Sequence, residues 1–199
     1  MENFSPVDIL LDLDSVWSEK TWPRPALYPR LKSVGTKIIT YVYDVIPVTW
    51  PQFVHNNTLV WYLTYLGALL NYADCVITST QTVLDELSRI AEDIDVTMPC
   101  SSVSWLGSDF LGTEIDEDLV DNVVREQLEG KKYILIVGTI EPRKNHRLLL
   151  DAFEQKLFAE GVSLVLVGRK GWKAESLTRR IITAPEYGEQ LLWLQHTDD

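Results

Sequence analysis

The chain has 199 residues, of which 46% are hydrophobic and 10% aromatic, apolar mass enough for one large or two small packed domains. Its formal net charge of -11 argues against a nucleic-acid partner, which would need a basic face. The two cysteines, Cys75 and Cys100, have no metal-ligand spacing and read as buried thiols of a reducing compartment, so no metal site is expected.

In chain order, Glu2, Asp8, Asp12 and Asp14 interrupt any apolar core that a signal peptide would need. Val7 to Leu13 reads as a strand. Pro23, Pro25 and Pro29 are expected to break regular structure before a short segment from Ala26 to Ser33. A second strand, Lys37 to Tyr43, runs into Tyr43-Asp44-Val45-Ile46-Pro47. Pro47 is expected to hold Ile46 extended and to turn the chain away at the strand's carboxyl end. In an open α/β sheet that edge is where ligands bind. Asp44 has two readings there, a cap of the turn before Pro47 or a catalytic group.

Leu59 to Leu70, LVWYLTYLGALL, is almost uniformly apolar but shorter than the ~20 residues of a membrane span. A buried helix is expected, with a membrane-surface role as the alternative. Ala73 to Ser79 reads as a third strand. Ser79 or Thr80 caps the helix behind it, whose apolar face is Val83, Leu84, Leu87 and Ile90. Pro99 to Leu106 is the last strand of this half. Gly112 to Gly130 is strongly acidic, with Val120, Val123, Val124 and Leu128 at helical spacing, and reads as a solvated linker.

The second half holds the densest pattern. Tyr133 to Val137 is an apolar run that stops at Gly138, and Ser163 to Val167 is another that stops at Gly168. A helical pattern lies between them, so the stretch is expected to be a βαβ unit with parallel strands buried on both faces. The connecting loop carries Pro142, Arg143, Lys144, Asn145, His146 and Arg147. Asn145 is the expected side-chain N-cap, Leu149, Ala152, Phe153 and Leu157 the apolar face, and Gly161 the stop. Cations at a helix N-terminus oppose its dipole by roughly 0.3–1 kcal/mol each. Three of them in so acidic a chain point to an anion held between them, and free amides at the carboxyl end of a parallel strand make a phosphate site. Spacing alone leaves a solvated basic patch as an equal reading. Gly168 and Gly171 allow close backbone approach. A helix from Ala174 to Ile182 and a strand from Gln190 to Leu194 complete the pattern.

Three segments carry a resemblance: Val-Gly-Thr-Ile-Glu-Pro-Arg-Lys-Asn-His from Val137, Leu-Leu-Leu-Asp-Ala-Phe from Leu148, and Leu-Val-Leu-Val-Gly-Arg-Lys-Gly-Trp from Leu164. Together they resemble the family-four (group 1) glycosyltransferases, in particular the mannosyltransferase-like members that build bacterial surface polysaccharides. Tyr43-Asp44-Val45-Ile46-Pro47 with Trp50-Pro51, and Ala73-Asp74-Cys75-Val76-Ile77, are similar to that family's amino-terminal domain.

The resemblance implies an α/β protein of GT-B type with two Rossmann-like parallel-sheet domains, both truncated. Residues 1–107 would be the acceptor-side domain, 108–130 an acidic linker and 131–199 the nucleotide-sugar-binding domain. It implies retaining, metal-independent transfer of a hexose such as mannose from a GDP- or UDP-linked donor to a polysaccharide or lipid-linked glycan. No separate cofactor is implied. The setting would be cytoplasmic, at the inner face of the membrane where the association is peripheral.

Residue by residue, Lys144 matches the lysine that follows Pro-Arg in the family and would neutralise the leaving diphosphate, with Arg143 beside it. Gly138 and Thr139 complete that site; many relatives carry arginine where Thr139 stands. Gly168 and Gly171 belong to the donor-binding loop. Tyr43 and Asp44 stand where many relatives have His-Asp near the sugar-phosphate bond. Tyrosine can donate a hydrogen bond to phosphate, but a pKa near about 10 makes it a poor base. His196 and Thr197 would lie on the side of the nucleotide base. The family's first strands and glycine-rich loop would precede Val7, and its Glu-x7-Glu motif would follow Asp199. A non-catalytic remnant, or a module that only binds a nucleotide diphosphate, is therefore the alternative.

Overall fold

A computed structural model describes residues 4–13, 16–18, 20–107 and 122–195. The chain divides into two compact units, Met1–Asp109 and Phe110–Asp199.

The first unit is built on four parallel strands, β1 (Ile9–Asp12), β2 (Lys37–Val42), β3 (Cys75–Thr78) and β4 (Cys100–Val103), which pair in chain order. Leu10 stands beside Ile38, Thr40 beside Val76 and Thr78 beside Val103. Helices α1 (Arg24–Ser33), α2 (Ile46–Thr49), α3 (Asn56–Tyr72) and α4 (Gln81–Asp93) lie between the strands. When strand order follows chain order, right-handed crossovers all fall on one side of the sheet. Burial follows that rule. Ile38, Val42 and Val76 are buried against Tyr28, Leu31, Leu66, Leu69 and Leu87, whereas Ile9 and Leu11 point the other way and are more than half exposed.

Several expectations need correction. Prolines do not delay the first helix: Pro25 sits in the opening turn of α1, where a missing amide costs nothing, and Pro29 lies inside it. Ile46 is not extended but opens α2, with Pro47 in the first turn. The apolar helix is longer than its apolar core and is not buried all round. Tyr62, Tyr65, Leu66, Leu69 and Leu70 face the sheet, while Val60, Trp61 and Leu63 are exposed. Among the described residues no helix is long and apolar enough to cross a membrane. Cys75 and Cys100 are neighbours in register, but Cys100 is exposed and Cys75 only half-buried, because they stand on the uncovered face. Burial and the neighbouring Cys100 thiol push the Cys75 thiol up.

The second unit begins, among described residues, with α5 (Asn122–Leu128), followed by β5 (Lys132–Val137), α6 (His146–Ala152), β6 (Val162–Val167), α7 (Glu175–Thr183) and β7 (Leu191–Leu194). The three strands are parallel, in the order β5-β6-β7, with Leu135 beside Val165 and Val165 beside Leu192. Ile140, Leu150, Phe153, Leu164, Leu166, Ile181 and Leu191 form the core. The central strand β6 is buried on both faces as expected. β5 is not: as an edge strand it leaves Tyr133, Leu135 and Val137 50%, 52% and 67% exposed. The helical pattern between them is also not one α-helix. α6 runs for seven residues and passes into a π-turn, Phe153–Leu157, before Gly161 at φ +71 turns the chain. The acidic stretch from 108 to 121, and His196 and Thr197, lie outside the described residues.

Candidate functional site

At the carboxyl end of β5 and β6 the chain does the same thing twice. Gly138 (φ +146) and Gly168 (φ +140) follow the last strand residues, in a backbone region that side chains rarely enter. Each hands its amide to the neighbouring strand: Gly138 N–H to Val167 O at 2.8 Å, and Gly168 N–H to Leu194 O at 2.8 Å. The loops that follow are laced together by Ile140 N–H to Arg169 O (2.9 Å) and Gly171 N–H to Ile140 O (3.0 Å). Glycine is needed because nothing else fits. A Cβ on Gly168 would overlap the Gly138 carbonyl, and one on Gly171 would stand 2.6 Å from the Thr139 methyl. The Trp193 indole donates to Gly168 O at 2.8 Å and ties β7 to the same corner.

Lys144 reaches into this corner. Its Cε lies 3.7 Å from where a Cβ on Gly138 would stand, and among the described residues no carboxylate pairs with its ammonium. Thr139 has no hydrogen bond to its amide among those described. Arg143 differs from Lys144, because its Nη2 lies 2.7 Å from Oε1 of Glu141, a side chain only 1% exposed. That approach is off the line of a hydrogen bond, so both Glu141 oxygens remain without a donor. The structure thus brings Gly138, Thr139, Lys144, Gly168 and Gly171 together, and turns Arg143 toward an internal partner.

Asn145 does begin α6, but not as a side-chain cap. It sits in the left-handed region (φ +53), and its backbone carbonyl, not its side chain, receives Leu148 N–H at 3.1 Å. His146 is buried with neither ring nitrogen hydrogen-bonded. Burial lowers its pKa, against the pull of the Glu141 backbone and carboxylate, so the ring is neutral at neutral pH. Spacing alone places His146 in a basic loop; the burial of His146 and of Glu141 at the tight crossing of the two loops is something no periodicity reveals.

In the first unit, Tyr43 and Asp44 also lie at the carboxyl edge, just beyond β2. The Tyr43 hydroxyl donates to Leu13 O, and its carbonyl receives the Ser79 hydroxyl at 2.7 Å. Ser79 is therefore not the cap of α4; Thr80 is, accepting Val83 N–H at 3.2 Å. Asp44 Oδ1 receives Ile46 N–H at 3.1 Å, which is the turn-capping arrangement, and its carbonyl receives the Tyr62 hydroxyl at 2.7 Å. Asp12 carries an arrangement the sequence reading left unassigned. It is buried at the end of β1, paired with Arg24 through Nε (2.6 Å) and Nη2 (2.9 Å), and it also accepts the Tyr28 hydroxyl at 2.8 Å. Among the described residues no group of three or more histidine, cysteine or acidic side chains is placed to hold a metal.

No family model matches the chain. It is similar to the serotype-specific mannosyltransferase WbdA of Escherichia coli, 27% identical over 179 residues, which is 85% of this chain and 22% of that protein. Two solved structures share its fold. One is Anabaena Alr3699/HepE in complex with UDP and glucose (TM-score 0.63, 16% identity, 94% of this chain, 48% of that one). The other is the GtfA/B complex (TM-score 0.54, 15% identity, 98% of this chain, 35% of that one). The chain thus spans about a fifth of the length of the mannosyltransferase it matches and half or less of each solved chain. In sequence the chain is similar to a mannosyltransferase, and its two parallel sheets have the GT-B fold of both solved structures.

Proposed function

We propose that the corner formed by Gly138, Thr139, Lys144, Gly168 and Gly171 holds the diphosphate of a nucleotide-sugar donor. The protein containing it would transfer a hexose, with retention and without a metal, to a glycan acceptor. The observation that carries this reading is Lys144, whose ammonium has no carboxylate partner among the described residues, beside a glycine that leaves the backbone bare and a Thr139 amide that none of those residues engages. A cation and an amide in one corner, with no carboxylate paired to the cation among the described residues, fit an anion whose charge grows as a bond breaks. In the transfer, the bond between the sugar's anomeric carbon and the diphosphate oxygen breaks, and the leaving oxygens gain the charge that Lys144 offsets. The acceptor oxygen bonds to that carbon on the same face, and its proton passes to the leaving diphosphate oxygen.

The mannosyltransferase named above and the neighbour solved with UDP and glucose support a sugar donor and a glycan acceptor. Mannose is the first sugar to try, and GDP and UDP the first nucleotides. The helix dipole contributes less than the sequence pattern implies, because α6 is only seven residues long. Titration calorimetry of the 199-residue chain with GDP and UDP, repeated on Lys144→Ala, tests the site. A nucleotide that binds and loses affinity in the variant supports it; equal binding by both proteins overturns it. Binding without turnover of GDP-mannose or a UDP-hexose would leave a nucleotide-diphosphate-binding module as the reading of this chain alone.

A further inference from the structure

The first unit contains a pocket of about 300 Å³ whose walls include Trp17, Ser18, Lys20, Arg24, Trp61 and Tyr65. It lies at the carboxyl edge of that unit's sheet, since α1 leaves β1 there and α3 starts its return from there. Contacts link it to the Tyr43–Asp44 turn. The Trp17 ring meets Tyr62 edge-on with centroids 6.4 Å apart, and the Tyr62 hydroxyl donates to Asp44 O.

Two of the polar lining groups are already committed. Arg24 spends its charge on the buried Asp12, and the Tyr65 hydroxyl shares a hydrogen bond of 3.1 Å with Thr40. Others are not. Among the described residues, no hydrogen bond engages the indole N–H of Trp17 or of Trp61, the Ser18 hydroxyl or the Lys20 ammonium. Trp61, on α3, lines the pocket and is 45% exposed, so its ring offers a wide aromatic face there.

We propose that this pocket is an acceptor subsite that takes one pyranose ring of a glycan. A pyranose has a C–H face that packs on an aromatic ring and a rim of hydroxyl oxygens that accept from indole, hydroxyl and ammonium donors. The lining offers both. An acyl chain would leave four polar groups unsatisfied, and a diphosphate would find one uncommitted cation where it needs several. The volume is at the small end of the range for ligand sites, suited to a monosaccharide unit and not to a nucleotide. The assignment rests on reading the chain as part of a glycosyltransferase and adds which residues meet the acceptor.

The test titrates the full 199-residue chain with mannobiose, cellobiose and diacetylchitobiose, followed by saturation-transfer NMR and tryptophan fluorescence. At least one disaccharide is expected to bind through the C–H protons of one ring. Trp61→Ala should weaken it about tenfold or more, Trp61→Phe should restore part of the loss, and Trp50→Ala, an exposed tryptophan outside the lining, should change nothing. Lys20→Ala, on a loop with no packing role for its ammonium, gives a second measure with a smaller loss. GDP affinity should be the same in all four variants. The subsite is overturned if none of the disaccharides binds up to about 50 mM, a limit at which a Kd of several mM would be seen. It is also overturned if Trp61→Ala and Trp50→Ala behave alike. Failure of the donor site shows instead as loss of GDP binding with saccharide binding intact.

Discussion

Gly168 lies against Gly138 so closely that a Cβ on the first would overlap the carbonyl oxygen of the second. Gly168 also holds φ +140, so a side chain there is strained twice, by its own backbone and by its neighbour. Gly168→Ala should cost about 3 kcal/mol or more of second-unit stability, and nucleotide binding with it. Gly188 is the control. It has φ +90 but open space around its missing Cβ, so Gly188→Ala should cost only about 1 kcal/mol. Urea unfolding followed by Trp193 and Trp172 fluorescence reads both, and equal losses would refute the overlap argument.

Lys144 and Arg143 are adjacent cations with different partners, and their substitutions should differ accordingly. Lys144→Ala should weaken GDP or UDP binding by about ten- to a hundredfold, the worth of one charge-assisted hydrogen bond, and leave the unfolding midpoint almost unchanged. Arg143→Ala should weaken binding less but destabilise the protein more, because it strands the buried Glu141 carboxylate. Calorimetry and urea unfolding on both variants separate the two effects.

Much of this was legible in the residues. Two apolar runs that end in Gly138 and Gly168 specify parallel strands with bare backbone at their ends, because a run of β-branched residues and a terminal glycine act locally. What sequence could not show depends on contacts far apart in the chain. Ser79 reads as a cap by position but bonds Tyr43, 36 residues away. The uncovered face that leaves Leu11 and Cys100 exposed follows from strand order, and hydrophobic runs do not encode order. Asp12 looked like one of several scattered acids until α1 brought Arg24 and Tyr28 to it. Asn145 was placed correctly at the start of α6, yet its left-handed backbone removes the side-chain cap that residue type implied.

His146 gives the second unit an acid-sensitive point. Its buried ring is held neutral, with a pKa below the ordinary histidine value of about 6.5, and the unfolded chain regains that value. Between the two values the unfolded state binds more protons, so stability falls as pH drops below about 6.5 and stops falling once the folded ring also protonates. The groups facing it are the Glu141 carboxylate, which opposes the shift, and Lys144, which favours it. Urea midpoints of the second unit between about pH 7 and 5 should therefore fall faster than in His146→Leu, which has no proton to take up. Parallel slopes would refute a buried neutral ring.

Asp74 should act in the opposite half of the pH scale and in the other unit. It accepts the Ile38 amide at 2.9 Å and pairs with Lys32 at 2.8 Å and Lys37 at 3.1 Å, so it joins the end of α3 to α1 and β2. Burial alone would raise its pKa. The hydrogen bonds from Lys32, the Ile38 amide and Lys37 more than offset this and hold it at about 2. A carboxyl with a depressed folded pKa stabilises the fold in full above its unfolded value, about 3.9, and loses that contribution as pH falls through about 2. Asp74→Asn should therefore lower first-unit stability at pH 7 by about 1 kcal/mol, a modest figure because Lys37 is largely exposed and salt screens the pair. Wild type and variant should then converge between about pH 4 and 2, since protonation removes from the wild type what the substitution removed from the variant. Thermal unfolding at about 20 mM and 500 mM salt completes the measurement: the gap at pH 7 should narrow at high salt, leaving the part due to the Ile38 hydrogen bond, which salt does not screen.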